Sequence, residues 1–149
     1  MTISFRTAQK EDVAKVIALL RDDVLGDARE VDDMAIYDDA FGRMQTEGAN
    51  HLIVGEIDGV VVATYQITFI SGLSLRASRR AQIESVRVAS SLRGRGYGEA
   101  MMADAERRAR DAGCALMQLN TNASRDRARA FYERLGFTPS HVGYKRVLD

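Results

Sequence analysis

The sequence predicts an α/β fold, with a mixed sheet and helices on both of its faces. Three observations predict it. Apolar spacing is helical in the two segments leading up to Gly48 and turns strand-like in the runs just after it. Asp58-Gly59 sits between two runs rich in β-branched and aromatic residues, 51–57 and 60–70, and marks a hairpin. From residue 81 onward strand-like and helix-like segments alternate, which lays helices over a sheet. The chain has 149 residues, 46% hydrophobic and 28% charged, so one globular domain spanning 1–149 is expected.

Each element has a local reason. Residues 3–6 alternate and read as an edge strand. Thr7–Asp12 opens a helix capped by Thr7 or by an acidic first-turn residue. Val13, Val16, Ile17, Leu19 and Leu20 carry that helix to about Asp22, and Gly26 falls in the connector that follows. A second amphipathic helix is expected over Val31–Thr46, with Met34, Tyr37, Phe41 and Met44 on one face. The hairpin comes next, then a polar basic loop over Ser71–Arg80 and a strand over 81–88. A glycine-rich loop leads into a helix over Tyr97–Asp111, and Gly113 stops it. Residues 114–121 read as a strand. Ser124 or Asp126 is placed to cap a helix through Leu135, closed by Gly136. Pro139 marks a turn before a last strand over 141–148.

Composition excludes several classes. A single cysteine, Cys114, forbids an internal disulfide and reads as a small buried residue rather than a nucleophile. His51 and His141 make no metal-ligand spacing, so no metal is expected. Apolar runs fall far short of the roughly 20 residues of a membrane span. The N-terminal segment lacks the charged and apolar regions of a signal peptide, so a cytoplasmic protein is expected. Net charge is zero but polarised: residues 1–75 carry −7 and residues 76–149 carry +7. Either the basic half meets an anion or the two halves attract each other. Nucleic-acid binding is not expected, because interleaved aromatics and a strong basic excess are both missing.

The loop Arg93-Gly94-Arg95-Gly96-Tyr97-Gly98 joins a strand to a helix. Glycine lets a ligand approach the main chain, and bare N–H groups at the positive end of a helix suit a phosphate. Arg93 and Arg95 add forked donors. A Walker loop requires Lys-Ser/Thr after its last glycine, but Glu99 follows Gly98. A dinucleotide fingerprint requires a third glycine where Glu99 stands, and an acidic residue near 117–120 that is missing.

The strand, loop and helix from Val86 to Met102 resemble the central motif of the GNAT superfamily of N-acetyltransferases, Arg/Gln-x-x-Gly-x-Gly/Ala, met here by Arg93 to Gly98. Arg125–Phe137 resembles its second motif, a helix ending in Tyr-x-x-x-Gly-Phe. The element order fits over nearly the whole chain. The resemblance implies the acyl-CoA N-acyltransferase fold, a mixed and mostly antiparallel sheet of about seven strands with helices on both faces. It implies acetyl-CoA as co-substrate and transfer of acetyl to a primary amine of a small molecule or peptide, by direct attack in a ternary complex.

The resemblance also implies roles. The strand Val86, Arg87, Val88 would offer backbone groups to the pantetheine arm, and an amide near Val86 or Val88 would polarise the thioester carbonyl. Gly94, Arg95, Gly96, Tyr97 and Gly98 would hold the pyrophosphate. Tyr132 matches the tyrosine that protonates the departing thiolate. The family often has an Asn where Arg125 stands, so Arg125 is expected to reach a phosphate instead.

The base stays open between Glu84, His141 and a water. Strand alternation puts Glu84 on the face of Val86 and Val88, where burial would suit it to take a proton; its alternative is a structural carboxylate paired with Arg87 or a loop arginine. Some relatives carry a catalytic glutamate where Asn120 stands. An amide cannot serve as a base, so Asn120 and Asn122 are substrate-binding candidates. The acidic residues Asp22, Asp23, Asp27, Glu30, Asp32 and Asp33 are placed to steer a cationic amine or to form a solvated connector. Dimers are common in the superfamily, so a homodimer is one expectation. The rival functional reading is a CoA-binding regulatory module that transfers nothing.

Overall fold

The computed structural model describes residues 2–23, 27 and 29–149. The connector glycine, Gly26, lies outside them. Strand β1 (Ser4–Thr7) leads through a tight turn at Lys10–Asp12 into α1 (Val13–Arg21). Next come α2 (Met34–Glu47), the hairpin β2 (Asn50–Ile57) and β3 (Val60–Ile70), one short helical turn at Ser74–Ala77 inside the expected loop, and β4 (Arg80–Val88). Helix α3 (Tyr97–Asp111), strand β5 (Leu116–Leu119) and helix α4 (Asp126–Arg134) complete the order.

The sheet runs β1-β2-β3-β4-β5, antiparallel except for the parallel pair β4 and β5. Among the described residues it has five strands where about seven were expected. The missing pairing is at the C-terminus. Residues 138–149 form no strand and are exposed. A strand exists only where its N–H and C=O groups find a ladder, and among the described residues the segment finds none.

The sheet separates two cores. Ala8, Val13, Val16, Ile17, Phe41 and Val54 pack beneath α1 and α2. Ile53, Ala63, Tyr65, Ile67, Ala81 and Ile83 face Met101, Met102, Ala105 and Ala109 of α3. Alternation along β2 and β3 sends successive side chains to opposite cores. Met34, Tyr37 and Met44 join Phe41 as expected. Helix α2 starts three residues later than its apolar pattern suggests, because Asp33 caps it by accepting the Ala35 N–H at 3.1 Å.

The hairpin turns at Asp58 (φ 50°) and Gly59 (φ 79°), both left-handed, as a two-residue connection requires. At the entrance to α1 Asp12, not Thr7, does the capping. Its carboxylate accepts the Gln9 N–H at 2.7 Å and two Arg6 N–H groups at 2.7 and 3.0 Å. Neither Ser124 nor Asp126 caps α4. Instead Asn122 Oδ1 accepts the Ser124 N–H at 3.0 Å and its Oγ–H at 2.6 Å, closing the turn before the helix. Among the described residues no helix is long and apolar enough to cross a membrane.

Candidate active site

The site begins with one irregular residue. Gln66 pairs with Glu84 and Thr64 with Arg87, so three steps of β4 oppose two of β3. The extra residue is accommodated at Ser85, whose φ is 55°. Pairing between β4 and β5 ends at Ile83 and Leu119, just ahead of this bulge. Beyond it the backbone of Val86–Val88 is unpaired toward β5, which leaves an opening between the two strands. The strand expected over 114–121 stops at Leu119 for the same reason.

The bulge corrects the expected position of Glu84. Strict alternation would put Glu84 with Val86 and Val88. The extra residue instead puts Glu84 and Arg87 on the α1 face, beside Gln66 and Thr64. Val86 and Val88 turn to the α3 core. Glu84 is exposed rather than buried, and Gln66 Nε2 donates to its Oε2 at 3.3 Å. It does not pair with Arg87; the partner of Arg87 is Asp23.

The glycine loop follows β4 through a short turn at Ser90–Leu92. Gly94 (φ 77°) and Gly96 (φ 85°) hold left-handed backbone, and Gly96 is the N-cap of α3. No side chain caps this helix, so its first-turn N–H groups remain available at the positive end of the dipole. A Cβ at Gly94 or Gly96 would meet nothing within 4 Å, so the loop surface is open to a ligand. Gly98 has a different reason to be glycine: a Cβ there would lie 3.1 Å from Phe131 Cζ, where α3 meets α4. Arg95 is exposed, and Tyr97 is half-buried. Arg93 reaches back, donating to the carbonyls of Asp22 at 2.7 Å and Val88 at 3.3 Å.

Across the opening, charges from distant parts of the chain meet. Asp23, at the end of α1, lies 2.9 Å from Arg87 Nε and 3.3 Å from both terminal nitrogens of Arg125. Asp22 accepts the Ser90 N–H at 2.8 Å, which holds its carboxyl below the ordinary value. Arg125 therefore meets an internal carboxylate where a phosphate contact was expected. The sequence reading missed Asp22 and Asp23 as anchors of the cleft; the opposite charges of the two halves were the signal for them. Burial pushes the Arg87 guanidinium down, and Asp23 opposes that push.

Tyr132 stands in the same region. Its ring is edge-on to Phe131 at 5.2 Å and to Phe137 at 5.8 Å. These contacts fix the ring against the α3 core. Burial raises the phenol above its ordinary pKa, and the charges of Arg87 and Arg125 pull the other way. Asn120 is exposed just past β5, while Asn122 is engaged in the turn before α4. His141 sits in the exposed C-terminal segment against Ser140. Cys114 is half-buried and its thiol is pushed up by that burial, as suits a packing residue.

A glycine loop with two left-handed residues, an uncapped helix start and an unpaired strand edge fit a diphosphate carried on an extended arm. The model of the acetyltransferase (GNAT) family matches residues 16–137. The chain is 29% identical over 143 residues to the aminoalkylphosphonate N-acetyltransferase of Salmonella typhimurium, covering 96% of this chain and 90% of that protein. The crystal structure of a transcriptional regulator from Bacillus halodurans C-125 superposes with a TM-score of 0.94 at 37% identity, covering 99% of this chain and 100% of the other. Glucosamine-6-phosphate N-acetyltransferase from Arabidopsis thaliana shares the fold, with a TM-score of 0.81 at 21% identity over 100% of both chains. The chain belongs to the acetyltransferase (GNAT) family and is an N-acetyltransferase.

Proposed function

We propose that the chain transfers acetyl from acetyl-CoA to a primary amine by direct attack in a ternary complex. The observation that carries this reading is the β4–β5 opening, set between the uncapped start of α3 and Tyr132. Acetyl-CoA supplies an acetyl group already activated as a thioester. The amides of Gly94 to Gly98 hold its pyrophosphate, and Arg95 adds charge. The unpaired backbone of Val86–Val88 holds the extended arm as an added strand would be held. An N–H of that segment donates to the carbonyl oxygen as negative charge develops there. Tyr132, kept protonated by its burial, gives its proton to the leaving sulfur.

Glu84 or a water it holds takes the proton of the attacking amine. Exposure of Glu84 suits the relayed route. Arg87 and Arg125 both pair with the one carboxylate of Asp23, two cations against one anion, so acceptors with an anionic end are the first to test. The Salmonella relative, named for aminoalkylphosphonates, supports that choice.

A second reading, a CoA-binding regulatory module, draws support from the Bacillus halodurans relative described as a transcriptional regulator. One experiment separates them: free thiol release from acetyl-CoA against a panel of amines. Amine-dependent release supports transfer. Tight CoA binding with no release from any amine supports the module.

A further inference from the structure

Two guanidiniums meet over one carboxylate where the cleft opens. The bulge at Ser85 turns Arg87 to the α1 face, and Arg125 arrives there as the N-cap of α4. The single oxygen Oδ2 of Asp23 faces Arg87 Nε at 2.9 Å and both terminal nitrogens of Arg125 at 3.3 Å. The Arg125 contacts lie past the usual limit of about 3.2 Å for an N–H···O bond, so this pairing is loose. Arg87 Nε is close to the oxygen, but its N–H is not aimed at it, and this buried donor makes no hydrogen bond. Arg87 is firmly placed all the same, because its Nη1 donates to the Val86 carbonyl at 2.9 Å. Burial opposes its charge, the cations Arg125 and Arg29 oppose it further, and Asp23 favours it.

One oxygen shared among three nitrogens is a poor match to two forked groups. A phosphate-like group carries three acceptor oxygens and about −1.5 to −2 charges at neutral pH, so it can engage both guanidiniums at once. Arg87 lies on β4 ahead of the turn at Ser90–Leu92, and its side chain leaves the face that carries Val86 and Val88. It is therefore set apart from the glycine loop, which serves the diphosphate of the donor. Both guanidiniums instead act on the Tyr132 phenol, lowering a pKa that burial raises. An anion held by them stands near the acid that serves the leaving sulfur, so only a short chain can join it to the attacking amine.

Given acetyl transfer at this cleft, on which the inference rests, we propose that Arg87 and Arg125 bind the anionic end of the acceptor, and that the acceptor is a primary amine joined by a short alkyl chain to a phosphonate or phosphate monoester. Thiol release from acetyl-CoA is followed with aminoethylphosphonate, phosphoethanolamine, β-alanine and propylamine. For one or both phosphorus compounds kcat/KM is expected to exceed that for propylamine about a hundredfold, and to exceed that for β-alanine. The better of the two identifies the source of the anion. Arg125→Gln is expected to cut the preference over propylamine about tenfold, and Arg87→Lys, which keeps the charge without the fork, to lower it as well. Each readout is a ratio of acceptors on one preparation, so a loss of folded protein does not move it. Propylamine or β-alanine used as well as the phosphorus compounds, or a preference that Arg125→Gln leaves intact, overturns the proposal and leaves acetyl transfer standing. If no amine releases thiol, acetyl transfer falls, and calorimetry of aminoethylphosphonate with the CoA-saturated protein decides the anion site. Binding that Arg125→Gln abolishes supports the site; binding absent in the parent or unchanged in the variant overturns it.

Discussion

Asp12 shows how much one carboxylate does in this fold. It joins β1, the turn before α1 and, through Arg6, Glu56 of β2. The Arg6 hydrogen bonds, then the Gln9 N–H, hold its carboxyl below the ordinary value against the cost of its burial. A depressed folded-state pKa makes the stabilisation complete above the unfolded value near 4 and removes it as pH falls through the folded value. Asp12→Asn is expected to cost about 1–2 kcal/mol at neutral pH. Urea unfolding at descending pH checks the sign: the gap between parent and variant closes in acid.

Tyr132 is the acid of the proposed reaction. Tyr132→Phe keeps the ring and its contacts with Phe131 and Phe137 and removes only the hydroxyl. Turnover is expected to fall about a hundredfold or more. The KM for acetyl-CoA is expected to stay nearly constant, and steady-state kinetics reads both. Unchanged turnover contradicts its role as acid.

At the scale of elements, two joints hold the site. One is the glycine loop. Gly96→Ala puts a Cβ on a left-handed residue, at a strain of about 1–2 kcal/mol. If the loop binds the diphosphate, CoA affinity falls by about tenfold, measured by calorimetry. The other joint ties α3 to the sheet. The Tyr65 hydroxyl donates to Asp104 at 2.6 Å, Arg108 Nε donates to it at 2.8 Å, and Arg107 also pairs with it. Asp104 is 8% exposed and Tyr65 fully buried. Asp104→Ala leaves the Tyr65 hydroxyl and Arg108 without their acceptor, and is expected to destabilise by about 3 kcal/mol. Thermal unfolding checks it, with Tyr65→Phe as the milder comparison.

Most elements were legible because they rest on local chemistry. The Asp58-Gly59 hairpin, the α3 start at Tyr97 and the stops at Gly113 and Gly136 need only their own residues to be predicted. The family was legible because its two motifs are likewise local. What alternation could not show was the bulge at Ser85. It depends on the pairing of β4 with β3, and it moves Glu84 to the opposite face from Val86. The ion pairs of Asp23 with Arg87 and Arg125 span the chain and appear in sequence only as opposite charge in its two halves.

At the scale of the whole molecule, that charge division has a structural outcome. The acidic end of α1 is drawn onto the basic β4 and α4 region, and Asp22 and Asp23 close one side of the cleft. A binding-competent but inert cleft and a working one share this architecture. They differ in what happens to acetyl-CoA when an amine is present. The direct measurement is thiol release from acetyl-CoA across a panel of primary amines that includes aminoalkylphosphonates, with mass spectrometry of the amine. Thiol release is expected to require an amine and to be matched by an acetylated product one for one. CoA bound tightly, with no thiol released and no amine acetylated anywhere in the panel, would contradict it.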